Sequence, residues 1–388
     1  MTEFVSGNRI TLLKNGVEYF PALAAEFDAA QREIHLETYI YEDDVTGRTI
    51  AAALARAALR GVDTYVMVDG FGSKGLDSEL IEGLRAAGVR VLVYRPKISP
   101  WTLRLARLRR MHRKIAVIDA RVAFVGGINI IDDMDTPNHT PPRYDYAVRI
   151  DGPLVARIHP VVKRLWTLVT ATQFKSAWPR LRDLGPFTVP RGGQRAALVV
   201  RDNVAHRRDI EQAYLAAIRR ARSEILLASA YFFPGLSFRR ALTDAAARGV
   251  RVILLLQGRV EYVLLHYASR ALYGAFLDAG IEIHEYHKSF MHAKVAVIDR
   301  HWATVGSSNI DPFSLLLARE ANVVIEDDGF ATQLRESLLA EMNAGASQVK
   351  RERWRSQPWP VRAVTWFFYG IARLLTGLFA YGRAREFT

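Results

Sequence analysis

The sequence predicts an α/β protein built from two duplicated halves, each an α/β/α sandwich, and three observations carry that expectation. The chain repeats itself once: Gln31-Arg32-Glu33-Ile34-His35-Leu36-Glu37-Thr38-Tyr39-Ile40 has a partner in Arg222-Ser223-Glu224-Ile225-Leu226-Leu227-Ala228-Ser229-Ala230-Tyr231. Arg60-Gly61-Val62 and Ala87-Gly88-Val89 likewise match Arg248-Gly249-Val250 and Ala279-Gly280-Ile281. Each matched stretch is a helical pattern ending at glycine and followed by a short apolar run, the punctuation of helices leading into buried strands. The composition agrees, because 388 residues that are 50% hydrophobic and 24% charged exclude a disordered chain and suffice for two cores. Two such halves are expected to pack as a pseudo-dimer.

Taken in order, residues 1–190 form the first half. Pro179, Gly185, Pro186, Pro190, Gly192 and Gly193 then cluster without apolar periodicity and mark a linker. The second half is expected over 195–349. A separate tail, 350–388, carries eight basic residues against Glu352 and Glu386. The amino end lacks a signal-peptide pattern, since Glu3, Asn8, Arg9, Lys14 and Glu18 interrupt it. Zero cysteines exclude disulfides, thiolate metal sites and a cysteine nucleophile, and a net charge of +13 suits an anionic partner.

The chemistry is carried by Met111-His112-Arg113-Lys114-Ile115-Ala116-Val117-Ile118-Asp119 and its copy Met291-His292-Ala293-Lys294-Val295-Ala296-Val297-Ile298-Asp299. Both read His-x-Lys-x4-Asp, and in both a glycine (Gly126, Gly306) and an asparagine (Asn129, Asn309) follow at identical spacing. With 10 His, 9 Lys and 21 Asp, one accidental copy is roughly a 1% event, so two aligned copies are not chance. The chain holds only 9 Lys among its 53 basic residues, yet both copies use Lys, which points to a need for a compact ammonium. On a strand, His-x-Lys puts imidazole and ammonium on one face, where both can meet one phosphate, and turns the intervening residue away.

The duplicated motif resembles the phospholipase D superfamily over nearly the whole chain. Within it the chain looks most like bacterial cardiolipin synthases of the shorter type without amino-terminal transmembrane helices. Leu36-Glu37-Thr38-Tyr39-Ile40, Asp69-Gly70-Phe71-Gly72-Ser73, Phe124-Val125-Gly126-Gly127-Ile128-Asn129, Ser308-Asn309-Ile310-Asp311-Pro312-Phe313-Ser314-Leu315 and Glu320-Ala321-Asn322 carry the likeness. The resemblance implies one active site between the halves, in which one histidine attacks phosphorus and the other handles the alcohol proton. It assigns His112 as nucleophile and His292 as acid/base, an order that rests on resemblance alone. Lys114, Lys294, Asn129 and Asn309 are expected to bind the non-bridging oxygens, with Ser307 and the Gly127 backbone assisting. Asp145 and Glu320, 33 and 28 residues after the histidines of their own halves, are the candidates for orienting the imidazoles. Asp119 and Asp299 complete the motifs and are expected to hold their strands. Glu37, Tyr39 and Tyr231 are expected to begin the pocket.

The remaining histidines (His35, His139, His159, His206, His266, His284, His287 and His301) lack metal-ligand spacing and read as surface or packing residues; no metal or cofactor is expected. Asp132, Asp133 and Asp135 read as a solvated loop. From Arg362 to Arg383, helical spacing places Arg362, Thr365, Tyr369, Arg373, Thr376 and Arg383 opposite Val364, Phe367, Ile371, Leu374 and Leu378. That pattern describes a helix lying in a membrane interface. Spanning would cost roughly 2.5 to 3.5 kcal/mol for a central Arg373. A second basic and aromatic stretch, Pro100 to Arg110, precedes the first motif and is expected to meet anionic headgroups. The predicted activity is transfer of a phosphatidyl group between two phosphatidylglycerol molecules, on the cytoplasmic face of the bacterial inner membrane. Phospholipid hydrolysis is the rival, and nucleic acid is not an expected partner because no aromatic array lines a basic groove.

Overall fold

The computed structural model describes residues 3–96, 109–136, 140–173, 181–202, 206–260, 262–311 and 318–384, with side chains to Leu375. Most of the Pro100 to Arg110 stretch, His139, and Pro312 to Leu315 therefore lie outside the described residues, as do the side chains of Thr376, Leu378 and Arg383.

The first half contains strands β1 (Val5–Lys14), β2 (Glu33–Thr38), β3 (Asp63–Asp69), β4 (Arg90–Tyr94), β5 (Arg110–Met111), β6 (Lys114–Ile118), β7 (Val122–Gly126) and β8 (Tyr146–Asp151). Its helices are α1 (Asn15–Ala29), α2 (Val45–Leu59), α3 (Ser78–Ala86) and α4 (Val155–Thr172). The second half has β9 (Gln194–Arg201), β10 (Glu224–Ser229), β11 (Arg251–Gln257), β12 (Glu282–Tyr286), β13 (Lys294–Ile298), β14 (Trp302–Gly306), β15 (Ala318–Glu326) and β16 (Ala346–Gln348). Helices α5 (Asp209–Arg220), α6 (Leu236–Ala247), α7 (Val263–Arg270), α8 (Tyr273–Asp278) and α9 (Asp328–Gly345) accompany them, followed by α10 (Arg351–Arg355) and α11 (Trp359–Ala384).

The strand order is the same twice. Read outward from the centre it is β1-β8-β7-β6-β2-β3-β4 in the first half and β9-β15-β14-β13-β10-β11-β12-β16 in the second, and antiparallel pairing of β1 with β9 joins them into one sheet. The outer strands β2-β3-β4 and β10-β11-β12 run parallel, and the motif strands β6 and β13 pair antiparallel on both sides. Strands covered on both faces should be apolar throughout rather than alternating, and Lys-Ile-Ala-Val-Ile and Lys-Val-Ala-Val-Ile are buried at every position. One face of the first half carries α1, α2 and α3, and one face of the second carries α5 to α8. The opposite faces share a core that runs through both halves, with α4 and α9 packed into it.

The repeated glycines close the helices by backbone conformation. Gly61 and Gly249 follow α2 and α6 at φ of +87° and +89°, a region open to glycine without steric cost. Aspartates start α2 and α9: Asp44 accepts from the Gly47 N–H at 2.7 Å and Asp327 from the Phe330 N–H at 2.8 Å.

Candidate active site

Each motif begins two residues before its strand, where the two halves are stitched together. The His112 N–H donates to the Arg319 carbonyl at 3.0 Å and the His292 N–H to the Tyr144 carbonyl at 2.8 Å. The residues after those carbonyls are Glu320 and Asp145, so each histidine stands beside the carboxylate of the opposite half. His112 Nδ1 lies 3.0 Å from Glu320 Oε1, and His292 Nδ1 lies 2.7 Å from Asp145 Oδ2. The within-half pairing read from the chain spacing is therefore corrected to a crossed one. Held through Nδ1, both imidazoles turn Nε2 toward the cleft between the halves.

That cleft, of about 330 Å³, is lined from the first half by Tyr39, His112, Asn129, Asp133, Arg143 and Asp145, and from the second by Tyr231, Tyr262, Phe290, His292 and Asn309. Strand alternation decides the motif faces. The Lys114 and Lys294 ammonium groups fold back under the histidines, Lys114 Nζ donating to the His112 carbonyl at 2.7 Å and Lys294 Nζ to the His292 carbonyl. Lys294 Nζ is also 3.8 Å from Asp145 Oδ2. Arg113, between His112 and Lys114, points through the sheet and forms a two-pronged ion pair with Glu37, one arm at 2.8 Å. Glu37 is thus corrected from a pocket residue to the buried partner of Arg113, while Tyr39 and Tyr231 do line the cleft.

Asp119 and Asp299 lie at the far ends of the motif strands. Asp119 accepts the backbone N–H groups of Gln31, Arg32 and Glu33 at 2.7 to 3.0 Å, and Asp299 accepts those of Arg222, Ser223 and Glu224 at 2.8 to 3.0 Å. Each ties a motif strand to the start of its neighbour. Neither faces the cleft.

The two carboxylates are built differently. Ser307 does not face the cleft: its hydroxyl donates to Glu320 Oε2, which corrects its expected role as a phosphate ligand. Gly127 at the matching position gives its N–H to the Tyr146 carbonyl at 2.9 Å, so it too is unavailable to phosphate. A Cβ there would stand 2.3 Å from Asp145 Oδ1, so only glycine leaves room for that carboxyl. Asn129 accepts from the Ile40 N–H at 3.1 Å through Oδ1, which leaves its amide N–H groups for the cleft.

Electrostatics follow from this burial. Burial would raise the Glu320 carboxyl, but the adjoining His112 holds it below the usual carboxylate range. Burial pushes Asp145 up to about 6 despite Lys294 beside it. Desolvation also lowers both histidines, His292 well below its ordinary value with help from Lys294 and Lys114, and it lowers Lys114 to about 7.

Several cleft residues escaped the sequence reading. Asp133 is buried, accepts the Gly16 N–H and is pushed up to about 6 by burial, so it is no solvated loop residue. Arg143 and Phe290 stand two residues before Asp145 and His292, and alternation applied backwards from those positions would have found them. The other reading to be refined concerns His35 and His159, which are buried against Glu33 with one ligand atom of each of the three within 4.8 Å of the others. This is the one cluster of metal-ligating geometry among the described residues, and it lies off the cleft. Burial would raise Glu33, but its contacts with His159 and His35 hold it at about 2. In the second half the same strand-to-helix tie is made by Glu224 and Arg335.

Two histidines, each paired with a carboxylate of the opposite half and delivered by duplicated halves to one cleft, define a phosphodiester-transfer enzyme of the phospholipase D kind. The profile described as cardiolipin synthase, PLD-like domain, matches residues 23–166 and 214–342. Cardiolipin synthase B of Escherichia coli O6:H1 is 42% identical over 91% of this chain and 85% of its own length. Cardiolipin synthase of Geobacillus thermodenitrificans is 32% identical over 96% of this chain and 72% of its own. The chain belongs to the cardiolipin synthase family of phospholipase D-like proteins. Its fold is shared with a phosphatidylserine synthase of Haemophilus influenzae, at a TM-score of 0.70, 12% identity and 97% coverage of both chains.

Proposed function

We propose that this protein transfers a phosphatidyl group from one phosphatidylglycerol to another, giving cardiolipin and glycerol. The observation that carries the reading is the crossed pair of histidine–carboxylate dyads at one cleft. His112 is the nucleophile: its partner Glu320 is the carboxylate held ionised, which favours a neutral, basic Nε2 and stabilises the imidazole as it takes on positive charge. The Nε2 lone pair forms a bond to phosphorus as the bond to the glycerol oxygen breaks, and His292, which takes up a proton once the anionic substrate offsets the lysine charges that lower it, supplies that proton to the oxygen. The acceptor hydroxyl then gives its proton to His292 and displaces His112. Lys114, Lys294, Asn129 and Asn309 hold the phosphoryl oxygens and stabilise their charge.

Membrane attachment, which we place at the cytoplasmic face of the bacterial inner membrane, draws its support from the tail helix, which bears on attachment and not on the face. Among the described residues no helix is long and apolar enough to cross a membrane. Helix α11 packs on α7 through buried Thr365 and Ala372 and a stacked Phe368–Tyr267 pair, and it exposes Val364, Trp366, Phe367 and Leu374. Of the residues that the sequence pattern placed on the polar side, Thr365 and Tyr369 turn into the dock while Arg362 and Arg373 are exposed, so the outward surface carries arginines beside Val364, Phe367 and Leu374. Tyr262 and Leu265, at the start of α7, reach the cleft, so the tail helix packs on an element that also lines the site.

The test is incubation of purified protein with phosphatidylglycerol vesicles in EDTA, followed by mass spectrometry. Cardiolipin with released glycerol is the expected outcome. Phosphatidic acid alone would make the protein a hydrolase, and no lipid turnover would turn attention to other phosphodiesters.

A further inference from the structure

The cleft is chemically lopsided. Beside His112 it is aromatic, the Tyr39 ring lying 4.7 Å from the imidazole; Tyr231 and Tyr262, which meet edge to face at 5.4 Å, and Asp311 complete the lining from the second half. On the His292 side it is ionic. Phe290 stacks on His292 at 6.0 Å, and the Arg143 guanidinium lies 5.4 Å over the Phe290 ring. Asp133 lines the same end. Arg143 is held in place by its own chain, its backbone N–H donating to the Asp133 carbonyl at 3.0 Å and Nη2 to the Asp135 carbonyl at 3.2 Å. Its Nε is buried with no hydrogen-bond partner. Ala318 occupies the matching place in the second half, two residues before Glu320, and the guanidinium beside it at the other end, Arg110, is paired with Asp69 at 3.7 Å.

We propose that Arg143 selects the incoming alcohol by binding the phosphate that the acceptor lipid carries. This rests on the transferase reading above. In the second step a hydroxyl oxygen bonds to phosphorus, the bond from phosphorus to His112 breaks, and the hydroxyl proton passes to His292. The alcohol must therefore sit at the His292 end. Water and free glycerol bring no charge there. A phosphatidylglycerol hydroxyl brings an anionic phosphodiester at the other end of the same short glycerol unit. The two lysines and two asparagines are committed to the phosphate under attack, and the second phosphate needs its own cation. A buried, unpartnered N–H carries a desolvation cost that an anionic oxygen removes, and a guanidinium suits phosphate geometry. Asp133, on the same wall, accepts a hydroxyl of the headgroup and repels a phosphate placed in the wrong orientation.

The experiment uses the full chain with phosphatidylglycerol vesicles and deuterated glycerol in the water, read by mass spectrometry at early times. Transfer to glycerol yields labelled phosphatidylglycerol and transfer to lipid yields cardiolipin. Both products come from one covalent intermediate, so their ratio does not depend on the fraction of protein folded. Arg143→Gln is expected to lower the ratio of cardiolipin to labelled phosphatidylglycerol by about tenfold or more, the scale of one lost charge-assisted hydrogen bond, and Arg143→Lys to lower it less. A ratio within about twofold of the unsubstituted protein in Arg143→Gln, beside normal cardiolipin synthesis by the unsubstituted protein, overturns this proposal alone. If the unsubstituted protein exchanges glycerol but makes no cardiolipin, the acceptor lipid disappears, and the transferase reading falls with it.

Discussion

At the scale of single residues, the two dyads make unequal demands. His112→Ala and His292→Ala are each expected to lower turnover at least about a thousandfold while leaving vesicle binding intact; substantial activity in either variant would sink the two-histidine mechanism. Glu320→Gln should cost roughly a hundredfold or more in kcat by misplacing the imidazole tautomer, and Ser307→Ala, which removes one hydrogen bond to that carboxylate, should cost about tenfold. A sign can also be given for pH. Lys114 must be cationic to hold phosphate, and burial lowers it to about 7, so its charge is present below that value and lost above it. The rate at low substrate, kcat/KM, is therefore expected to fall as pH rises through about 7. A bound anion raises the lysine again, so the fall in kcat should come at higher pH. A kcat/KM profile flat from pH 6 to 9 would contradict this account of Lys114.

At the scale of elements, strands are tied to their neighbours by buried ionic contacts rather than by apolar packing alone. Arg113 and Glu37 link β6 to β2 on the face away from the cleft, with Arg113 also donating to the Val161 carbonyl of α4 at 3.2 Å. Removing one partner leaves a buried charge uncompensated, which costs about 3 to 5 kcal/mol. Glu37→Ala is thus expected to lower the urea midpoint strongly, and pairing it with Arg113→Met should recover much of the loss. If Glu37→Ala alone left the midpoint unmoved, the pair would have no structural role. The duplicated aspartates act at the same scale: Asp119 and Asp299 both sit at φ of +52° with the same three-N–H cradle, a strand connection copied with the halves.

At the scale of the whole molecule, the proposed lipid surface and the cleft are linked by α7, which carries α11 and reaches the cleft at Leu265. The outward residues Trp366, Phe367 and Leu374 are 55%, 64% and 63% exposed, a cost that water imposes and a bilayer removes. Replacing all three by serine should weaken co-sedimentation with anionic vesicles at least about tenfold, since each buried large apolar side chain contributes roughly 1.5 to 3 kcal/mol. Unchanged co-sedimentation would remove the tail from the membrane. Deleting Lys350 to Thr388 should weaken it too. The triple substitution is the cleaner probe, because α10 and α11 are integrated into the second half through Trp354 against Tyr273, Arg351 and Arg355 on Asp278, and Ala372 in its core.

The duplication, the strand-and-helix alternation and the facing of each His-x-Lys were legible in the chain because they rest on local periodicity: a residue's place along a strand settles which face it presents. The chemistry followed from residue type at repeated spacing. Only the tertiary structure decided which carboxylate serves which histidine, because distance along the chain says nothing about how two sheets dock, and the stitching of Arg319 to His112 and Tyr144 to His292 crosses the halves. Packing within each half turned Glu37 to Arg113 and Ser307 to Glu320, away from the substrate, and docking of the halves set Arg143 against Phe290. Alternation marks Arg143 and Phe290 as facing the cleft, but the contact between them, like that of Arg113 with Glu37, joins residues far apart in sequence, and no local pattern records it.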